Sequence, residues 1–217
     1  NITNDNTFDL TISGQEKGST VVYQISTDGG VTWTTTTANQ SSLTDGTYNF
    51  RATVTDASGN SATTPVQTVT VDTAITAGTL SLSNYTDSGS SATDNITNDN
   101  TFDLTISGQE AGTTVAYEVS TNGGTTWVAT TANQSGLTDG TYSFRAIVTD
   151  IAGNSGTTVV QTVTIDATPP AFNSTTSVSI AENTPITTVI YDSNATDNGG
   201  ANDVGITYTI SGTDASL

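Results

Sequence analysis

The sixteen residues NITNDNTFDLTISGQE at Asn1 return unchanged at Asn95, a period of 94 residues. Similarity continues through Asp72 and its counterpart Asp166, with 55 of the 72 paired positions identical. Identity at that level exceeds what keeping a fold requires, so duplication of one unit is the simplest source. A chain of 217 residues has room for one or two ordinary domains, and the repeat favours two.

Within each copy, apolar residues alternate with polar ones, the pattern of strands with one buried face. Phe8, Leu10 and Ile12 form one inward row, Val21, Tyr23 and Ile25 a second, Tyr48, Phe50, Ala52 and Val54 a third, and Val69 and Val71 a fourth. The second copy repeats them as Phe102, Leu104, Ile106; Val115, Tyr117, Val119; Tyr142, Phe144, Ala146, Val148; and Val163, Ile165. Asp28-Gly29-Gly30 and Asn122-Gly123-Gly124 read as hairpin tips, and Asp45-Gly46 and Asp139-Gly140 as turns before the long tyrosine strand. No segment carries a 3.6-residue apolar period, and short strands at this spacing predict an all-β fold of tandem β-sandwiches. GTLSLS at Gly78–Ser83 reads as a first strand of the second copy. The first copy has no counterpart to it and is expected to be truncated.

The formal charge is −18, from 21 acidic residues against Lys17, Arg51 and Arg145. Such a balance excludes the basic footprint that nucleic acid needs and disfavours anionic membranes, leaving cations as natural partners. No stretch is long and apolar enough to predict a membrane span, and no basic-then-apolar leader opens the chain. With no cysteine, disulfides cannot brace the sandwiches, and metal ions are the available substitute.

LTDGTY at Leu43–Tyr48 and again at Leu137–Tyr142 resembles the tyrosine corner of immunoglobulin-like and fibronectin-like sandwiches. Together with VTDASGN, VTDIAGN and the linkers VDTA and IDATPP, it makes residues 1 to about 168 similar to the bacterial immunoglobulin-like tandem repeats of giant secreted RTX-type adhesins. The resemblance implies extracellular extender modules on a bacterial cell surface, with calcium bound where one module meets the next. It names no receptor.

In a sandwich of this kind, head-to-tail stacking brings opposite poles together. That arrangement would put Asp72 near Glu110 and Asp150, and Asp87, Asp94, Asp99 and Asp166 at the far pole of the second domain. Loop carboxylates are the hard oxygen ligands that Ca2+ takes, six to eight of them at roughly 2.3–2.6 Å. The competing reading is that Asp and Asn in DSGSSATDNITNDN cap turns and keep edges soluble.

The domains read from the sequence are residues 1–73, immunoglobulin-like without a first strand; 74–168, complete; and 169–217, the first half of a cadherin-like repeat. The last resemblance rests on Pro170-Ala171-Phe172, Ala181-Glu182-Asn183, Ala195-Thr196-Asp197 and ITYTISG. It implies Asp197 as a ligand facing Asp166 and Glu182 as one facing a further module, while Gly199 stands where a second acid is usual. About half of a ~100-residue sandwich is present in that segment, and an open edge invites strands from other copies of the chain.

STDGGVTW at Ser26–Trp33 fits the Asp-box S-x-D-x-G-x-T-W, and STNGGTTW at Ser120–Trp127 fits it with Asn122 for Asp. The box stabilises a hairpin, and Trp33 and Trp127 either cover a sandwich edge or stack on sugar rings. Histidine and cysteine are absent, Lys17 is the only lysine, and the carboxylate pairs lack an aromatic pocket, so no enzyme is expected. Sequons at Asn39, Asn84 and Asn133 matter only where the source glycosylates exported proteins. The reading is a calcium-stiffened spacer that supports adhesion or biofilm formation, its partners being neighbouring modules of the same chain. The rivals are a surface-layer or filament subunit assembling through sheet edges and a glycan-binding module.

Overall fold

The computed structural model describes residues 1–172 together with 195 and 196, and every regular element among them is a β-strand. β-branched residues dominate these strands, and their stiff side chains suit a pleated, half-buried surface. In the first repeat the strands are β1 (Ile2–Thr3), β2 (Phe8–Asp9), β3 (Thr20–Ser26), β4 (Thr34–Thr36), β5 (Asn39–Gln40), β6 (Gly46–Thr55), β7 (Ser61–Thr63) and β8 (Gln67–Val71). They form a sheet in the order β1-β8-β6-β3-β4, with β7 also on β6, and a small second sheet of β2 and β5. All pairings but one are antiparallel: β1 runs parallel to β8, with Ile2 opposite Thr70.

The second repeat holds β9 (Thr79–Ser83), β10 (Ile96–Thr97), β11 (Phe102–Ser107), β12 (Thr114–Ser120), β13 (Val128–Thr130), β14 (Asn133–Gln134), β15 (Gly140–Thr149), β16 (Ser155–Thr157) and β17 (Gln161–Ile165). Its larger sheet repeats the first in the order β10-β17-β15-β12-β13, with β16 on β15; the smaller one is three-stranded, β14-β11-β9. β18 (Ala171–Phe172) pairs antiparallel with β19 (Ala195–Thr196), the described part of the segment that resembles a cadherin repeat.

The chain divides into two compact units. One gathers Asn1–Thr79, Ile106–Ala116 and Ala146–Thr158; the other gathers Leu80–Thr105, Tyr117–Arg145 and the described residues from Val159 on. The core of the first centres on Tyr48, Phe50 and Val71, with Phe8, Leu10, Ile25, Leu43 and Val69 packed partly buried against them. Phe8 meets Phe50 edge-on at 5.7 Å. In the other unit Leu80, Phe102, Leu104, Phe144, Val163 and Ile165 are buried, and Phe102 of β11 meets Phe144 of β15 edge-on at 5.7 Å. Burial of each such side chain is worth roughly 1.5–3 kcal/mol. The tyrosine corner forms in both copies: the Tyr48 hydroxyl donates to the Thr44 carbonyl at 2.8 Å, and Tyr142 to Thr138 at 2.9 Å.

Candidate metal centre

The repeated motif T-D-x-x-G-N folds into a turn built around its aspartate. In the first copy Asp56 accepts from the backbone of Ser58 and Asn60 at 2.8 Å each, and from the Asn60 side chain at 2.8 Å. Its carboxyl is held below the usual range, chiefly by the Asn60 side chain and backbone. Asp150 repeats this with Gly153 N at 2.7 Å, Asn154 N at 2.9 Å and Asn154 Nδ2 at 2.8 Å. Burial works to raise the Asp150 pKa, but the bonds from Asn154 and Gly153 outweigh it and the group stays ionised more readily than a free aspartate.

Asn154 does more than close that turn. Its Nδ2 also donates to the carbonyls of Asp72 at 2.7 Å and Ala74 at 3.2 Å, so the end of β8 and the turn after β15 are tied together. Glu110 arrives from the loop after β11, where its amide donates to Thr76 O at 3.1 Å and its carbonyl accepts from Thr113 Oγ1 at 3.0 Å. The result is a trio: Asp72, Glu110 and Asp150 each place one carboxylate oxygen within 4.8 Å of the others, all partly buried and all within one compact unit. Among the described residues no other group of three metal-ligating side chains converges this way.

The remaining acids expected as ligands have other roles. Asp99 accepts from Thr86 N at 2.8 Å and Thr101 N at 3.2 Å, Asp87 from Asn95 N at 3.0 Å and Asp94 from Ile96 N at 3.1 Å. These bonds order the loop between β9 and β11, as turn-capping aspartates do. The Tyr85 hydroxyl lies buried among Asp87, Asp99 and Asp94 without a well-formed hydrogen bond, as does Asp87 Oδ1. Burial first, and then the charges of Asp87 and Asp99, push the Tyr85 pKa up to about 12. Asp166 continues β17, its amide donating to Thr97 O at 2.8 Å, as Asp72 donates to Thr3 O at 3.0 Å. Asp197 and Glu182 lie outside the described residues.

Two residues that read in the sequence only as turn formers act on the chain that follows each repeat. Asp45 Oδ1 accepts from Thr73 N at 2.9 Å and Thr73 Oγ1 at 2.7 Å. Asp139 takes Ala167 N at 2.8 Å and the Thr168 hydroxyl, and the Thr168 bond is the main reason its pKa is lowered. Their signal was recurrence: the same acid stands 27 residues before the last acid of each copy.

The tryptophans of the Asp-boxes are capped by cations. Arg51 sits 4.0 Å from the ring centre of Trp33, and Arg145 lies 4.2 Å from that of Trp127. Each arginine is itself anchored, Arg51 to Gln24 at 2.8 Å and Arg145 to Glu118 at 2.7 Å. One face of each indole is therefore taken up by the protein's own side chain, which favours the structural role of the box.

A family model described as bacterial Ig-like domain matches residues 1–73 and again 74–167. No curated protein matches the chain. Among solved structures, the FN1–FN3 domains of chicken CNTN1 align over 75% of this chain and 64% of that one, at 7% identity and a TM-score of 0.38. The fibronectin(III)-like modules of Clostridium thermocellum CbhA align over 76% and 86%, at 14% identity and 0.34. The Bacteroides ovatus protein SGBP-B of a mixed-linkage glucan utilization locus, solved with a mixed-linkage heptasaccharide, aligns over 76% and 42%, at 21% identity and 0.24.

Proposed function

Because the chain belongs to the bacterial Ig-like domain family, we propose that it is a run of extracellular spacer modules from a bacterial surface adhesin, stiffened by calcium where one repeat passes into the next. Membership of that family points to a structural or adhesion-type module outside the cell. The finer reading rests on one observation, the convergence of Asp72, Glu110 and Asp150.

Three carboxylates that close repel one another. At 4.8 Å each pair costs about 1 kcal/mol in water and about 3–4 kcal/mol at the effective dielectric of a protein surface. A divalent cation removes that repulsion. Two oxygens bound at about 2.4 Å to one calcium can stand as much as ~4.8 Å apart, so the observed spread suits a shared ion. The set is all oxygen, which fits calcium or magnesium and not zinc. The fixed turn around Asp150 and the Asn154 bonds to Asp72 and Ala74 mean that two of the three acids are already positioned. Catalysis has no part in this reading.

Isothermal calorimetry with calcium is the test. One ion per chain with an affinity near 10⁻⁴ to 10⁻³ M is expected at the trio. Calcium about 100-fold above the dissociation constant then stabilises the fold by about 2.7 kcal/mol. Glu110→Gln, which leaves the Asp150 turn intact, should remove both effects. Unchanged binding in that variant, or none in the natural chain, would overturn the proposal.

A further inference from the structure

The two repeats share the segment NTFDLTIS, at Asn6–Ser13 and Asn100–Ser107, yet fold it differently. In the second repeat it is the six-residue strand β11, lying between β14 and β9. In the first repeat only Phe8 and Asp9 are paired, with β5, and the other edge has no strand.

What covers that edge in the second repeat is the stretch Thr79–Asp87. Ser81 Oγ lies 3.1 Å from Thr105 Oγ1 and Asn84 Nδ2 donates to Asp103 Oδ2 at 2.6 Å, so the two strands run in opposite directions. Leu80 is 1% exposed. The Tyr85 ring packs edge-on against Phe102 at 5.6 Å, and Thr86 closes the contact by donating from its amide to Asp99 Oδ2 at 2.8 Å and accepting from Thr97 Oγ1 at 2.7 Å.

Each of these receptors has a vacant counterpart in the first repeat. A groove of about 340 Å³ runs along Leu10–Ser13 over Tyr23 and Phe50, at the place where Leu80 is received in the second copy. A second hollow of about 290 Å³ is bounded by Asn1, Thr3, Asp5, Phe8 and Val69, which correspond to Asn95, Thr97, Asp99, Phe102 and Val163 around Tyr85 and Thr86. Asp9 and Asp5 use their Oδ1 atoms as Asp103 and Asp99 do, for Asn39 and Thr7, and no hydrogen bond reaches their Oδ2 atoms. Phe8, Leu10 and Val69 are left partly exposed where Phe102, Leu104 and Val163 are 1–2% exposed.

We propose that the first repeat is a strand acceptor, and that its occupant is an extended segment with the chemistry of TLSLSNYTD, docked antiparallel to Leu10–Ser13. Its leucines would lie in the long groove and its tyrosine in the hollow beside Phe8. Edge pairing of this kind draws affinity from main-chain hydrogen bonds and specificity from alternate side-chain pockets. The inference does not depend on calcium.

The probe is a labelled peptide AGTLSLSNYTD, the sequence of Ala77–Asp87, added to the whole chain and followed by fluorescence anisotropy and amide hydrogen exchange. One peptide should bind per chain. With peptide about 100-fold above its dissociation constant, exchange at Leu10–Ser13 should slow about 100-fold while Leu104–Ser107 stays as it was. A peptide carrying Asp at both leucine positions should not bind. Equal binding of that control, or protection that falls on Leu104–Ser107 instead, overturns the proposal. So does a chain already dimeric with Leu10–Ser13 protected before any peptide is added, which would mean that copies of the chain close the edge on each other.

Discussion

Asp28 and Asn122 occupy the same point of the same hairpin and solve it with different chemistry. The Asp28 carboxylate is an acceptor only: it takes the Ser26 hydroxyl at 2.7 Å, Val31 N at 3.0 Å and both the amide and the hydroxyl of Thr32. Asn122 accepts from Ser120 Oγ at 2.8 Å and Thr126 N at 2.9 Å, and reverses the third bond by donating to Thr126 Oγ1 at 2.8 Å. The bonds from Thr32, and then that from Ser26, lower the Asp28 pKa to about 2. The folded value lies below the unfolded one of ~3.9, so the group's contribution is complete above about pH 4 and is lost as pH falls toward 2. Asp28→Asn should therefore fold as well at pH 7, since the second copy holds the same hairpin with an amide. Its thermal stability should fall less steeply than that of the natural chain between about pH 4 and pH 2. Superimposed acid profiles for the two proteins would show that Asp28 does not report on folding.

At the scale of elements, the contrast between β2 and β11 shows where sequence reading reaches its limit. The alternation Phe-x-Leu-x-Ile identifies an inward row in both copies, and nearly every buried apolar residue lies in one of the rows legible in the sequence; Leu80 lies in the strand GTLSLS. Whether the row becomes a full strand depends on a partner that local sequence does not contain. The roles of Asp45, Asp139 and Asn154 were hidden for the same reason. Each reads as a turn former, and its further work is a bond across 28 or more residues. The covering strand also has a strict entry requirement. Gly78 has φ +75°, and a Cβ there would sit 2.6 Å from both Gln109 N and Ser107 O. Gly78→Ala should thus cost about 2–3 kcal/mol in chemical denaturation, through a strained backbone and a contact with rigid main chain. Exchange should quicken first at Thr79–Ser83. A loss below about 0.5 kcal/mol would mean that the entry to β9 yields without strain.

For the whole molecule the question is what calcium adds to links that already exist. The residues after each repeat are held without any metal, Thr73 by Asp45 and Ala167 and Thr168 by Asp139, and Asn154 holds the carbonyls of Asp72 and Ala74. What the metal-free chain retains is the repulsion among Asp72, Glu110 and Asp150, which weakens as salt rises but persists for partly buried groups. Small-angle scattering with and without millimolar calcium should show a narrower spread of dimensions when calcium is present, together with a higher melting temperature. In Glu110→Gln the two curves should coincide, because two acids repel less and hold the ion poorly. In Asp45→Ala the chain should loosen under both conditions, since that latch acts independently of the ion. If the natural chain scatters identically with and without calcium, stiffness resides in the hydrogen-bonded links alone, and the acids serve the fold as turn acceptors.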